Sequence, residues 1–257
     1  MIVDIKPSGT GYMEDLYKAG GSQRIFYELK DFLYLDAKSV NGTTLGEEIK
    51  NSAKWTQNII TDKSNPVFNA GSIAVLKGTL APNSAIIKQS AATESLLIHE
   101  GRAVVFEGLE DLANRIDRDD LDVTKDDVLV LKSIGPKGGP GMPEAGLIPI
   151  PKKLAKQGVK DMVRISDGRM SGTASGTIIL HVTPESYENG PLAIVENGDL
   201  IKLDVPKRKI DLMISEEEIA ERLLKRKELS IRRRGYNKIY MEHVTQADRG
   251  VDFDFLI

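Results

Sequence analysis

The feature that most constrains the fold is a succession of short apolar segments rich in β-branched residues, which begins near Asn65-Pro66. The segments are separated by Gly, Pro, Asn or Asp, which is the pattern of β-strands joined by turns. They are SIAVLKG, AIIK, RAVVFE, DVLVLK, MVRIS, TIILHV, LAIVE, LIKLDV and KIDLMI. Together they predict a β-rich barrel or sandwich. Asn197-Gly198, between LAIVE and LIKLDV, predicts a two-residue hairpin turn.

The first sixty residues have a different pattern. Apolar residues recur at helical spacing through GYMEDLYKAGGSQRIFYELKDFLYL and are interrupted by Gly20 and Gly21. This predicts two short helices with a glycine stop between them, and TTLGEEIKNSAKW is a weaker helical candidate. We therefore predict a helical lead-in over residues 1–60 and a mixed α/β domain over residues 61–257. Helices in that domain are predicted in GLEDLANRI, PIPKKLAKQG and SEEEIAERLLKRKEL.

Composition excludes several classes of protein. The 257 residues include no cysteine, so they form no disulfide and no thiolate-ligated zinc or iron–sulfur site on their own. A formal net charge of -3 gives no indication of a nucleic-acid partner. No apolar run is long enough to span a membrane, and the N-terminus lacks the form of a signal peptide, so we expect a cytoplasmic protein without a membrane partner.

The segment GPKGGPGMPE, residues 135–144, is the first that could carry chemistry. Glycine allows a close approach of backbone to a ligand, and proline stiffens a loop. Glu144 at its end would then be a carboxylate held rigidly, as a hard cation such as magnesium requires. A tight surface connection with a solvated glutamate is the alternative, and composition alone slightly favours it.

The segment SDGRMSGTASG, residues 166–176, crowds hydroxyl groups onto a glycine-spaced turn after an apolar run. It matches neither the phosphate-binding Walker pattern nor the G-x-S-x-G nucleophile elbow. A serine here could act as a base only if its alkoxide were stabilised by a neighbouring group. Hydroxyls that satisfy their own backbone are the alternative. The three histidines, His99, His181 and His243, lack metal-ligand spacing, and His181 is interpreted as a core residue.

These segments occur in a recognisable order. KGTLAPNSAIIK, GRAVVFEG, GPKGGPGMPE, SDGRMSGTASG and HVTPES follow one another as in the dihydroxy-acid dehydratase and phosphogluconate dehydratase family, which the chain resembles over its whole length. PEAGLIPIPKKL and HVTQADRGVDFDFL resemble the sugar-acid branch, such as arabinonate or xylonate dehydratases. Thr79 departs from the family pattern, which usually has asparagine there.

The resemblance implies a fold and a function. The family's C-terminal domain is a β-barrel-like, swivelling β/β/α unit. The opening residues resemble a segment well inside a full-length member, so we expect this chain to be the C-terminal portion. Such a portion lacks the N-terminal domain that carries the cluster cysteines and most magnesium ligands. The implied activity is dehydration of an aldonate or a 2,3-dihydroxy acid to a 2-keto acid, with no activity until that domain is supplied.

The resemblance also assigns roles to residues. Ser171 would remove the proton at C2, Thr173 would position substrate, and Glu144 would complete a magnesium site. The expected cofactors are Mg²⁺ in a partial site and an iron–sulfur cluster held by the absent domain. The expected partners are a complementary N-terminal polypeptide, further copies of this chain and a small hydroxy acid. The alternative is a non-catalytic module that binds small acids or other proteins.

Overall fold

The computed structural model describes residues 1–50, 52, 57–172, 174–226 and 234–256. The chain divides into two compact units, Met1–Ser72 and Ile73–Ile257. No helix in the described ranges is both long and apolar enough to cross a lipid bilayer.

The first unit is built from short helices, as predicted. They are α1 (Met13–Lys18), α2 (Gly21–Glu28) and α3 (Leu45–Ile49). Gly20 lies between the first two helices and Gly21 begins the second, and both have positive φ, a conformation that glycine adopts without steric cost. The C-terminal part of the weaker helical candidate includes residues 51 and 53–55, which lie outside the described residues. Large apolar side chains of this unit remain exposed, among them Tyr17, Phe32 and Tyr34.

The second unit contains an eight-stranded sheet in the described part of the chain. Its strands are β1 (Ala74–Leu76), β2 (Ser84–Ile87), β3 (Ile98–Phe106), β4 (Val128–Leu131), β5 (Arg164–Ser166), β6 (Ile178–Thr183), β7 (Leu200–Asp204) and β8 (Lys209–Leu212). They pair in the order β1-β2-β6-β5-β4-β3-β7-β8. A bridge between Lys77 and Lys209 joins the two edge strands and closes the sheet into a barrel-like form. The mixed α/β, barrel-like fold predicted above is therefore confirmed.

Alternation along the strands produces two cores. In β4, Val128 and Val130 belong to the larger apolar cluster, whereas Leu129 and Leu131 belong to a second cluster that includes residues of α4 and α5. The neighbouring β3 divides in the same way. Side chains of adjacent residues point to opposite faces of a strand, so a strand covered on both faces reads as continuously apolar. This explains why DVLVLK shows no polar alternation.

Of the four described α-helices of this unit, the first three lie in the segments predicted above. The four are α4 (Leu109–Arg115), α5 (Lys152–Lys156), α6 (Glu216–Lys225) and α7 (Tyr236–His243). The Ser215 hydroxyl accepts a hydrogen bond from the Glu218 N–H at 3.1 Å and caps α6. Residues 227–229, at the end of the segment predicted to form this helix, lie outside the described residues.

One predicted strand and its hairpin are wrong. LAIVE forms a 3₁₀ helix over Pro191–Ile194 and not a strand. Its apolar residues belong to the larger core, so burial explains them without strand pairing. Asn197-Gly198 contacts β3, since the Asn197 side-chain oxygen accepts from the Val105 N–H at 2.7 Å and the Gly198 N–H donates to the Ala103 carbonyl at 2.9 Å.

The seam of the barrel depends in part on Thr79. Its Oγ1 donates to the Leu212 carbonyl at 3.1 Å and accepts from the Leu212 N–H at 2.9 Å. We predict that Thr79→Val lowers the free energy of unfolding by about 1–2 kcal/mol, because both backbone groups of a buried residue lose their partner. Chemical denaturation of the chain measures this.

The control for this prediction is Thr79→Ser, which keeps the hydroxyl group. A valine variant as stable as the unchanged chain would contradict the prediction.

Candidate functional site

Three of the segments singled out in the sequence leave the sheet at the same edge. Strands β4, β5 and β6 are parallel neighbours, so their carboxyl ends lie side by side. The glycine-rich segment follows β4, the serine segment follows β5 and Pro184-Glu185 follows β6. The carboxyl ends of parallel strands are a common location for ligand sites. We therefore treat this edge as the candidate active site.

Asp167, the first residue after β5, is fully buried and binds backbone of the other two segments. Its carboxylate accepts from the N–H groups of Ser133 at 3.2 Å and Ile134 at 3.0 Å, just after β4. It also accepts from the Ser186 N–H at 2.9 Å, just after β6. A single carboxylate thus ties the ends of three strands together.

Glu185 anchors the glycine-rich segment in a similar way. Its buried carboxylate accepts from the Lys137 N–H at 2.9 Å, the Gly138 N–H at 3.0 Å and the Gln246 side-chain amide at 2.6 Å. The backbone passes so close that a methyl group on Gly135 would lie 2.6 Å from the Glu185 Oε2. In this part of the segment, glycine therefore allows close approach to a carboxylate of the same chain.

Arg169 connects Glu144 to the serine segment. Its guanidinium forms an ion pair with the Glu144 carboxylate at 3.0 Å and donates to the Met142 carbonyl at 2.6 Å. Its own carbonyl accepts from the Gly146 N–H at 2.6 Å. The structure thus brings Glu144 to the segment that contains Ser171, two residues after Arg169.

Ser171 is half-buried within a turn of this segment. Its carbonyl accepts from the Ala174 N–H at 3.1 Å, and the carbonyl of the exposed Gly172 accepts from the Lys88 ammonium at 3.0 Å. Thr173 lies outside the described residues. The roles of Ser171, Thr173 and Glu144 stay predictions, although their segments share one edge of the sheet.

His181 is half-buried and belongs to a bulge in β6, where its φ is 53°. Ser84 pairs with Thr183 and Ile86 with Leu180, so Ala85 faces both intervening residues. The His181 N–H donates to the Gly168 carbonyl of the serine segment at 3.1 Å. Burial and the positive charge of Arg169 lower the pKa of His181, which keeps its imidazole neutral at pH 7.

Burial also changes the acidity of the anchoring carboxylates. Burial raises the pKa of Glu185 to about 7, against the opposing effect of the Lys137, Gly138 and Gln246 donors. The nearby Asp167 carboxylate raises this pKa further by charge repulsion. The Glu185 carboxyl group at this edge of the sheet therefore titrates near neutral pH.

The expected Mg²⁺ site depends on how many ligating side chains the described residues bring together. Within the described ranges, no group of three or more His, Asp or Glu side chains is placed to hold a metal ion. Glu144 supplies a single carboxylate, and one carboxylate gives too few ligands for a Mg²⁺ site made by these residues alone. This chain's described residues therefore do not fit a complete magnesium site.

Comparison with known proteins decides the family. Residues 58–251 match the model of the C-terminal domain of dihydroxy-acid/6-phosphogluconate dehydratases. The chain belongs to this family. Residues 1–48 match the model of the N-terminal domain of the same dehydratases.

The relatives include dehydratases of sugar acids and of dihydroxy acids. The L-arabinonate dehydratase of Rhizobium leguminosarum is 45% identical over 99% of this chain. The 6-deoxy-6-sulfo-D-gluconate dehydratase of Pseudomonas putida is 40% identical over 100% of it, and the dihydroxy-acid dehydratase of Carboxydothermus hydrogenoformans is 41% identical over 97%. In each comparison the chain spans only 45% of the relative's length.

Sequence reasoning missed Asp167 and Glu185 as organising residues of the site. In SDGR and TPES they resemble ordinary turn residues. The available signal was positional, because each residue follows an apolar strand segment and lies within a segment quoted for the family resemblance. Only the parallel pairing of the three strands shows that these positions converge.

The raised pKa of Glu185 predicts a pH dependence of stability. Between pH 4.5, its ordinary pKa, and about pH 7, the folded chain retains a proton that the unfolded chain has lost. Stability from this group is therefore greatest at low pH and decreases as pH rises through that window, by at most about 3 kcal/mol. Urea denaturation at several pH values between 4.5 and 7.5 measures the slope.

The comparison variant is Glu185→Gln, which cannot titrate and retains the size of the side chain. We expect it to lose this part of the slope. Identical slopes in the two proteins would show that Glu185 does not titrate in this window.

Proposed function

We propose that this chain forms the base-bearing part of a hydro-lyase that converts an aldonate, or a related 2,3-dihydroxy acid, into a 2-keto acid. Support comes from the family membership and from relatives whose names specify sugar-acid and dihydroxy-acid dehydration. The observation that carries the proposal is the convergence of the Glu144 and Ser171 segments at one edge of the sheet, joined by Arg169.

The chain's own contribution is removal of a proton. Abstraction at C2, beside the substrate carboxylate, requires a strong base because that proton is weakly acidic. We assign this role to Ser171, whose oxygen would take the C2 proton, and we assign substrate positioning to Thr173.

The electrophilic half of the site is proposed to lie outside this chain. Glu144 would add one carboxylate to a magnesium site whose other ligands, like the cysteines of an iron–sulfur cluster, belong to the family's N-terminal domain. A complementary polypeptide with that domain, or the same domain in one longer chain, would complete the enzyme. Without it we expect no turnover.

A chimera tests this proposal directly. The part of the Rhizobium leguminosarum L-arabinonate dehydratase that precedes its match to this chain is fused to this chain, and the product is reconstituted anaerobically with iron, sulfide and magnesium. We expect L-arabinonate to yield a 2-keto acid, detected by semicarbazide derivatisation. The unaltered relative is the positive control, and the chain alone is the negative control.

A folded chimera with a fully occupied cluster and no turnover of any aldonate or dihydroxy acid would contradict the proposal. Binding of an aldonate by the chain alone, seen by calorimetry together with an inactive chimera, would favour the non-catalytic module.

Within the active chimera we predict that Ser171→Ala lowers turnover by at least about 100-fold, the usual contribution of a positioned base. Exchange of the C2 hydrogen with D₂O, followed by NMR, should fall equally, while the dissociation constant of the substrate changes little. The matched control is Ser175→Ala, which removes an exposed hydroxyl from the same segment. Unchanged C2 exchange in the Ser171 variant would remove the serine from the base role.

A further inference from the structure

Lys88 lies beside the serine turn because of strand register. It directly follows β2, which pairs antiparallel with β6 so that Ile87 faces Ile179. Lys88 is therefore level with the start of β6, where the serine segment returns to the sheet. Its ammonium donates to the carbonyl of the exposed Gly172 at 3.0 Å, one residue after Ser171.

The other described cations near this segment are paired with an opposite charge. Arg169 forms the ion pair with Glu144 at 3.0 Å. Arg164 forms an ion pair with Asp161 at 2.8 Å, and Asp161 also accepts from the Thr177 N–H. Two further ionisable groups belong to or face the segment. His181 is neutral at pH 7 because its pKa is lowered. Asp167 is buried within the segment, its pKa is raised by burial, and it accepts from backbone N–H groups.

Lys88 differs from these groups. In the described part of the chain, no carboxylate lies within 4 Å of its ammonium, and its recorded partner is a neutral carbonyl. Its positive charge is therefore not cancelled by a described carboxylate. An uncancelled cation within a few ångströms lowers the pKa of a neighbouring acid, typically by one unit or more.

We propose that Lys88 is a positioning residue for Ser171, which fixes the turn through Gly172 and supplies the positive charge that favours a deprotonated side chain at position 171. This inference rests on the proposed function only for the use of that deprotonated oxygen as a base. The electrostatic effect itself is a property of this chain and can be measured without turnover.

The absence of cysteine from the sequence allows a direct test. Ser171→Cys introduces a single thiol, whose pKa is obtained from the pH dependence of its alkylation by iodoacetamide. We expect this pKa to lie below about 8.5, the ordinary value for a cysteine. Adding Lys88→Met should raise it by about one pH unit, and adding Lys88→Arg should restore it.

Two controls separate charge from folding. Lys202→Met removes an exposed positive charge from β7, away from the turn, and should leave the thiol pKa unchanged. Circular dichroism and thermal unfolding of each variant show whether the chain remains folded. If folded Lys88→Met and unaltered Lys88 backgrounds give the same thiol pKa, the proposal is overturned.

In the chimera, the same inference predicts that Lys88→Met lowers the rate of C2 exchange and moves its pH profile to higher pH. An inactive chimera combined with a shifted thiol pKa would refute the proposed function and leave the role of Lys88 intact. An active chimera with an unshifted thiol pKa would support the proposed function and refute the role of Lys88.

Discussion

Hydrogen bonds from backbone N–H groups to two buried carboxylates hold the candidate site together. Asp167 and Glu185 accept from the segments that follow β4 and β6. Buried carboxylates are costly unless they are hydrogen-bonded, so the loops and the acids stabilise one another. The glycine-rich segment is ordered by this internal pairing, which leaves its far end, with Glu144, facing Arg169.

The barrel supplies the other constraint. Parallel pairing of β4, β5 and β6 places three chain segments at one edge, whereas the antiparallel pairing of β2 with β6 places Lys88 beside the returning serine segment. Closure between Lys77 and Lys209 leaves the sheet with no open edge at that seam. The charge near Ser171 is thus set by strand register, which the surrounding core fixes because a one-residue slip would expose apolar side chains.

Much of this fold could be predicted from periodicity, and the exceptions have physical causes. Eight of the nine apolar segments form strands, since each pairs with a neighbour across the sheet. LAIVE does not, because its side chains fill the core from a 3₁₀ helix, and short apolar runs do not distinguish these cases. The sequence identified the segments that form the candidate site. The anchors Asp167 and Glu185 and the position of Lys88 depend on long-range pairing, which local pattern does not contain.

The proposed reaction needs a positioned base and an electrophile, and the anchoring residues concern only the base. Asp167, Glu185 and Arg169 all bind groups within the unit Ile73–Ile257, so the geometry around Ser171 is set by folding of that unit. The described residues do not bring together a complete metal site, so the proposed reaction takes its electrophile from other residues. A base built in this way needs local stabilisation of its charged form before the second half arrives. Lys88 is suited to that purpose, since no carboxylate of the described residues pairs with its charge.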